Sequence, residues 1–196
     1  MRTLLLARHG QSLFNIDGVI NGDPARDRGL SPHGEDEALG LQRQISAIAI
    51  DACFVSRFPR AHQTARVALG DRADTTPWHE DPELDDIKIG DLEGQTLADY
   101  RAWKTKHTHD DPFPNGESLN DAARRYADAF ERIANRPEET ILTVCHEIPV
   151  RYAVNAAAGS DQLDGPLHDV ANAAPYVFDA ASLMRAATHM RELARP

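Results

Sequence analysis

The sequence predicts an α/β fold built on a mainly parallel sheet, and two observations carry that reading. Short apolar runs alternate along the chain with stretches whose apolar residues recur at helical spacing. Several of those runs also stop abruptly at polar or charged groups, as strands buried on both faces do where they emerge at one edge of a sheet.

Leu4-Leu5-Leu6-Ala7 is the first such run, and it ends in Arg8-His9-Gly10-Gln11-Ser12, with Asn15 just beyond. Arg8 offers a fork of donors to an anion, and His9 a nitrogen that is nucleophilic near neutral pH. Gly10 lets the backbone turn sharply, while Ser12 and Asn15 supply neutral donors. Together they suit a phosphate pocket with a reactive histidine; alone, Arg-His-Gly is a weak motif that needs partners elsewhere.

Ile16 to Gly29, rich in Asp, Gly and Asn, reads as a loop. Ser31-Pro32 marks a helix start, and Ala38, Leu41, Ile45 and Ile48 carry that helix to about Ala49. Ala52 to Ser56 is a second short strand, followed by a helix from about Pro59 to Leu69. Asp71 to Asp91 is irregular and acidic, interrupted by Pro77 and Pro82. Leu97 to Lys106 reads as helical, and His107 to Asn115 as a polar loop. Ser118 with Asp121 resembles a capping box, ahead of the apolar stripe Leu119, Ala122, Tyr126, Phe130 and Ile133. Thr140 to Val144 is a β-rich run leading into Cys145-His146-Glu147. A helix from about Pro149 to Ala158, a strand at Tyr176-Val177-Phe178 and a final helix complete the chain. With no repeat, low-complexity tract or linker in view, one domain over residues 1–196 is the simplest account.

The 196 residues are 41% hydrophobic and 27% charged, an ordinary globular composition. A net charge of −10 argues against general binding to nucleic acid or to anionic membranes, and makes any phosphate pocket a local positive island. Cys53 and Cys145 sit in apolar runs and read as buried free thiols of a reducing compartment. The first apolar run is too short for a signal-peptide core and no stretch is long enough to span a bilayer, so the expected location is cytoplasmic.

Three predicted strand ends thus direct chemistry toward one sheet edge: Arg8-His9-Gly10, Ser56 with Arg57 and Arg60, and His146-Glu147. Cations and imidazoles around one small volume match a phosphoryl group, whose transition state spreads charge over its oxygens.

At this point the chain resembles the histidine phosphatase superfamily, which includes the cofactor-dependent phosphoglycerate mutases. The matching pieces are Leu-Ala-Arg8-His9-Gly10-Gln-Ser12-Leu-Phe-Asn15, Leu30-Ser-Pro-His-Gly34 and Ser56-Arg-Phe-Pro-Arg60-Ala-His-Gln63-Thr-Ala65. They continue, in the family's order, with Asp86-Ile-Lys-Ile-Gly90-Asp-Leu-Glu93-Gly94, Pro114-Asn-Gly-Glu117-Ser118 and Val144-Cys-His146-Glu. The resemblance implies a three-layer α/β sandwich, a mainly parallel central sheet with helices on both faces. It implies His9 as the nucleophile that forms a phosphohistidine, with Arg8, Arg60 and His146 holding phosphoryl oxygens and Ser12 and Asn15 assisting at the substrate. Arg60, directly before Ala-x-Gln-Thr-Ala, is the carried-over arginine, and Arg57 is an extra cation with the bland reading of a surface ion-pair partner.

The chain departs from the family at two positions. Asp86 stands where members commonly carry a glutamate general acid, with Glu83 as the alternative acid; Glu147 follows His146 where glycine is usual. The expectation is a metal-independent phosphomonoester hydrolase needing no cofactor and acting on a small phosphorylated metabolite. Phosphoglycerate mutase-type transfer, or a catalytically impaired phosphate-binding module, are the alternatives. Oligomeric state is unreadable, and a homo-oligomer is allowed.

Other groups read more plainly. His107-Thr-His109-Asp110-Asp111 is a poor zinc signature and is taken as a solvated loop. The acidic stretch Glu80 to Asp86 could suggest magnesium, against the metal-independent mechanism that the resemblance implies. No dinucleotide fingerprint, P-loop or nucleophile elbow is present.

Overall fold

Alternate side chains of the first strand enter different cores, and this sets the layering of the molecule. In the computed structural model, which describes residues 1–195, β1 spans Thr3–Arg8. Leu4 and Leu6 pack into one apolar cluster, Leu5 and Ala7 into another on the opposite face. The first cluster is closed by α5 (Leu119–Ala134), α6 (Glu147–Ala157) and α7 (Ala180–Leu193); the second by α2 (Pro32–Ile45) and α3 (Pro59–Leu69). A continuous apolar strand is therefore what a sheet with helices on both faces requires.

The sheet has five strands in the order β3-β2-β4-β1-β5. β2 (Ala52–Val55) runs parallel to β3 (Trp78–Glu80) and to β4 (Thr140–Cys145), and β4 runs parallel to β1. β5 (Pro175–Phe178) closes the far edge antiparallel to β1, pairing Leu5 with Val177. β1, β4 and β2 are thus neighbours pointing one way, and their C-terminal ends share one edge, as expected of the three motif-bearing runs.

The boundaries differ from expectation in instructive places. Ahead of the expected loop, and taking its first two residues Ile16 and Asp17, lies a five-residue helix, α1 (Leu13–Asp17), too short for apolar periodicity to betray and held by a capping box between Ser12 and Asn15. α2 stops at Ile45 rather than near Ala49, and Arg72 donates to the carbonyls of Ile45 and Ile48 that the helix end leaves free. The irregular acidic stretch holds the short edge strand β3. α4 (Leu97–Lys104) ends two residues before Lys106. α6 begins at Glu147, not near Pro149, with His146 at its N-cap; proline at the third helical position forfeits no bond, since that N–H has no partner within a helix. Among the described residues, no helix is long and apolar enough to cross a membrane.

Ser118 caps α5 as its sequence predicts: its hydroxyl oxygen accepts from Asp121 N at 2.9 Å and its O–H donates to Asp121 Oδ2 at 2.8 Å. Ser118→Ala is expected to cost about 1 kcal/mol of stability. In urea unfolding it should lower the midpoint without changing the slope.

Candidate active site

The end of β1 sets the first two groups. Gly10 is required where the chain leaves the strand, because a Cβ there would lie 2.4 Å from the carbonyl oxygen of Gly34 at the start of α2. His9, 3% exposed, makes its Nδ1 contact with the Gly10 carbonyl oxygen at 2.7 Å. A carbonyl only accepts, so Nδ1 carries the hydrogen and Nε2 keeps its lone pair. That lone pair accepts from Arg60 Nε at 3.0 Å. Burial first, and then the positive charges of Arg60 and Arg8, hold the His9 pKa well below the ordinary value.

Arg60, in the first turn of α3, is 3% exposed. Its Nη1 donates to Asn21 Oδ1 at 2.6 Å and lies 3.2 Å from Asp27 Oδ1, while Nη2 reaches Asp86 Oδ2 at 3.1 Å. The Arg60 backbone N–H also donates to Asp27 Oδ2 at 2.8 Å, and the Phe58 ring lies 4.3 Å from the guanidinium. A buried cation is tolerable only with such compensation.

His146 is fully buried at the end of β4. Its Nε2 meets Ser56 Oγ at 2.8 Å, and Nδ1 faces Arg60 Nη2 at 3.3 Å and Asp86 Oδ2 at 3.4 Å. Its pKa is also held well below the usual value, by burial, then by the Arg60 charge, then by His9. The His9 and His146 rings stand edge to face with centroids 5.3 Å apart.

Asp86 completes the group. Its side chain is 22% exposed at the pocket, and burial by the surrounding walls raises its pKa against the opposing pull of Arg60; the Glu147 charge raises it further. The loop carrying it is clamped from behind by Arg125. Arg125 Nη1 donates to the carbonyls of Glu83 and Asp85 at 2.9 and 3.0 Å, and Nε pairs with Glu117 Oε2 at 3.2 Å. Asp85 beside it is held by Arg57, whose Nε donates at 2.7 Å and backbone N–H at 2.8 Å. Arg57 is thus an ion-pair partner, as its bland reading had it. Glu83 points elsewhere: its carboxylate pairs with Arg132 at 2.5 Å, and it does not line the pocket.

Arg8 donates from Nη1 to the Val170 carbonyl at 2.9 Å and pairs with Glu147 Oε2 at 3.0 Å, while its buried Nε has no hydrogen-bond partner among the described residues. Glu147 also pairs with Arg151 at 3.0 Å, so the unexpected carboxylate is bound between two cations. Ser12 and Asn15 line the same pocket but are mutually bonded: Asn15 N donates to Ser12 Oγ, and Ser12 N to Asn15 Oδ1. That leaves the Asn15 amide nitrogen and the Ser12 hydroxyl hydrogen to donate. These groups surround a cavity of about 520 Å³.

Several participants were not found in the sequence. Asn21 and Asp27 belong to the stretch read only as a loop rich in Asp, Gly and Asn, and Arg125 to α5. The only signal for Asp27 is that a buried arginine demands a carboxylate, and no sequence pattern says which. The other histidines of note are occupied elsewhere: the His107 ring stacks on Trp103 at 4.0 Å, and His109 pairs with Asp164 at 3.3 Å. Cys53 and Cys145 are free and buried, and burial pushes both thiols' pKa values up.

An α/β sheet edge that gathers two histidines held toward the neutral form, a buried and a half-buried arginine and a carboxyl with a raised pKa has the make-up of an anion-binding site. The comparisons narrow this class. The family model of the histidine phosphatase superfamily (branch 1) matches residues 4–190, and the chain belongs to that family. A 2,3-bisphosphoglycerate-dependent phosphoglycerate mutase of Brucella melitensis is 33% identical over 174 residues, covering 81% of this chain and 82% of the mutase. The α-ribazole phosphatase of Shigella flexneri superposes with a TM-score of 0.78 at 26% identity, over 90% of each chain. A mycobacterial glucosyl-3-phosphoglycerate phosphatase shares the fold, with a TM-score of 0.71 at 24% identity, over 90% of this chain and 92% of that one.

The buried histidines also set a pH dependence of stability. Unfolded histidine titrates near pH 6.5, whereas folded His9 and His146 resist protonation, so the unfolded chain binds more protons as pH falls through that region. Their contribution to stability is therefore present above about pH 6.5 and is lost on acidification. Asp86 works the other way, since its raised pKa makes the folded chain the better proton binder above the ordinary aspartate range. His146→Gln should flatten the fall in urea midpoint between about pH 7 and pH 5 relative to the unsubstituted protein.

Proposed function

We propose that this member of the family is a metal-independent phosphomonoesterase that works through a covalent phosphohistidine at His9, with Asp86 as the general acid and base. The observation that supports it most is the state of His9: its hydrogen is committed to the Gly10 carbonyl, which leaves Nε2 a lone pair that accepts from Arg60 Nε beside the pocket that His9, Arg8 and Arg60 line.

The chemistry follows from that arrangement. Arg8, Arg60 and the Asn15 amide hold the phosphoryl oxygens, with His146 against them, while His9 Nε2 attacks phosphorus in line with the ester bond. As the P–O bond breaks, the proton on Asp86 passes to the leaving alkoxide. Asp86, now a carboxylate, takes a proton from water as that water attacks the phosphohistidine; the P–N bond breaks and inorganic phosphate leaves. The two substituent pKa shifts serve these roles, since His9 must be unprotonated and Asp86 protonated at the start. No step calls for a metal. Free buried thiols support a reducing, cytoplasmic setting.

Phosphoryl transfer between phosphoglycerates is the second reading, favoured by the likeness to the Brucella mutase. That mutase is matched over 82% of its length, so chain length does not separate the two.

His9→Ala should lower hydrolysis of an aryl phosphate by at least about 10³-fold. Acid-quenched turnover of labelled substrate should trap label on the unsubstituted protein and none on the variant; near-normal activity of the variant would overturn the nucleophile assignment. Asp86→Asn should cost on the order of 10²–10⁴-fold on an alkyl phosphate and much less on 4-nitrophenyl phosphate, whose leaving group departs without a proton. Hydrolysis should be indifferent to EDTA. Exchange of phosphate between 2- and 3-phosphoglycerate faster than its release would replace the hydrolase reading by the mutase one.

A further inference from the structure

One partner of His9 is a peptide rather than a side chain. The Gly10 carbonyl that accepts from Nδ1 at 2.7 Å belongs to the same peptide unit as the Gln11 N–H. That N–H donates to Glu37 Oε2, also at 2.7 Å. Glu37 lies in the second turn of α2, its side chain 24% exposed, with its other oxygen 3.4 Å from His33 Nε2. It does not line the cavity. A carboxylate thus reaches the nucleophile through a single peptide unit, in the order Glu37, Gln11 N–H, Gly10 C=O, His9 Nδ1–H. The residues around that unit are pinned as well. Ser31, the N-cap of α2, donates its N–H to the Gln11 carbonyl and its hydroxyl hydrogen to the Gln11 side-chain oxygen, each at 2.9 Å. The Gly10 N–H donates to Thr64 Oγ1 at 2.9 Å, and a Cβ on Gly34 would lie 2.1 Å from the Gln11 carbonyl oxygen.

A hydrogen bond to a carboxylate is shorter and roughly twice as strong as one between neutral groups, and hydrogen bonds in a chain polarise one another. Negative charge at the N–H end of a peptide therefore makes its carbonyl oxygen the better acceptor. Attack by His9 Nε2 on phosphorus leaves positive charge on the ring while Nδ1 keeps its hydrogen. The bond to Gly10 is then stronger than in the free imidazole, so it favours the transition state over the ground state. Resting on the phosphohistidine reading, we infer that Glu37 is a positioning residue for the nucleophile. Through the Gly10–Gln11 peptide it fixes the hydrogen on His9 Nδ1 and stabilises the charge that the ring acquires as Nε2 is phosphorylated. No proton passes along this chain. The N–P bond forms, the ester P–O bond breaks, the leaving alkoxide takes its proton from Asp86, and only the polarisation of the peptide changes.

Glu37→Gln separates charge from position, because its amide oxygen can still accept from the Gln11 N–H. With protein in excess over 4-nitrophenyl phosphate, the maximal first-order release of 4-nitrophenol reads the phosphorylation of His9 alone. In Glu37→Gln it should be about tenfold slower, with the protein concentration at half-maximal rate unchanged. Glu37→Ala, which removes the acceptor too, should be slower still. The 15N resonance of His9 Nδ1, correlated with the carbon-bound ring protons and assigned by its loss in His9→Ala, should move upfield in Glu37→Gln as its hydrogen bond weakens. If Glu37→Gln matches the unsubstituted protein and only Glu37→Ala is slow, the role is structural and the inference is overturned. A slower rate without the shift, or the shift without a slower rate, also overturns it, and each of these results leaves the phosphatase reading intact. No release of 4-nitrophenol by the unsubstituted protein overturns the phosphatase reading itself, and the inference with it, before any residue is exchanged.

Discussion

Arg60 is the constraint on which the site depends. A guanidinium 3% exposed must be paired and hydrogen-bonded, and this one draws its partners from three separate parts of the chain: His9 after β1, Asn21 and Asp27 in the loop beyond α1, and Asp86 in the loop before α4. Each of those loops would otherwise be free to wander over the sheet edge. The fixed fork of the arginine gives them one common geometry, and lysine, a single point charge on a flexible stem, would not. The pocket is thus assembled around a cation before any substrate arrives.

The same enclosure divides the titratable groups into two kinds. Removing water disfavours charge, so it lowers the proton affinity of His9 and His146 and raises that of Asp86. Arg60 reinforces the first effect and opposes the second, yet burial prevails at Asp86, helped by the nearby negative charge of Glu147. One environment therefore moves the histidines toward their neutral form and the carboxyl toward its protonated form, the directions that the proposed attack with leaving-group protonation needs. No separate device is required for each group.

Much of this was legible in the sequence because it depends on local pattern. Apolar runs that end in polar residues revealed β1, β2 and β4, and the parallel order of those strands brings Arg8, His9, Ser56 and His146 to one edge. Cap signals at Ser31 and Ser118 were read correctly because a cap is a four-residue event. What escaped depends on tertiary contact. Asn21, Asp27 and Arg125 act on residues 39 or so positions away in sequence, and nothing in their neighbours marks them. α1 and β3 are too short to show a period, and their existence is decided by what they pack against. Glu147 was visible as a departure, but its consequence lay in Arg151 and in the turn after α6 that supplies Asp164.

That last pair of contacts bears on how one family pocket is directed toward one kind of reaction. Transfer between phosphoglycerates demands that a three-carbon acid be gripped by its carboxylate, so that the phosphorylated intermediate is handed to the acid before water reaches it. A grip of that kind needs cations with unsatisfied charge beyond the phosphoryl site. Here Arg151 and Lys104 pair with Glu147 and Asp164, within 3.0 Å in each case, while the buried Arg151 Nε has no hydrogen-bond partner among the described residues. The wall opposite is apolar and offers such an acid no compensating donor along Phe14, Val19, Ile20 or Leu97. The distribution of charge outside the reacting centre, and not the reacting groups themselves, is therefore where the hydrolytic and transfer readings of this pocket part.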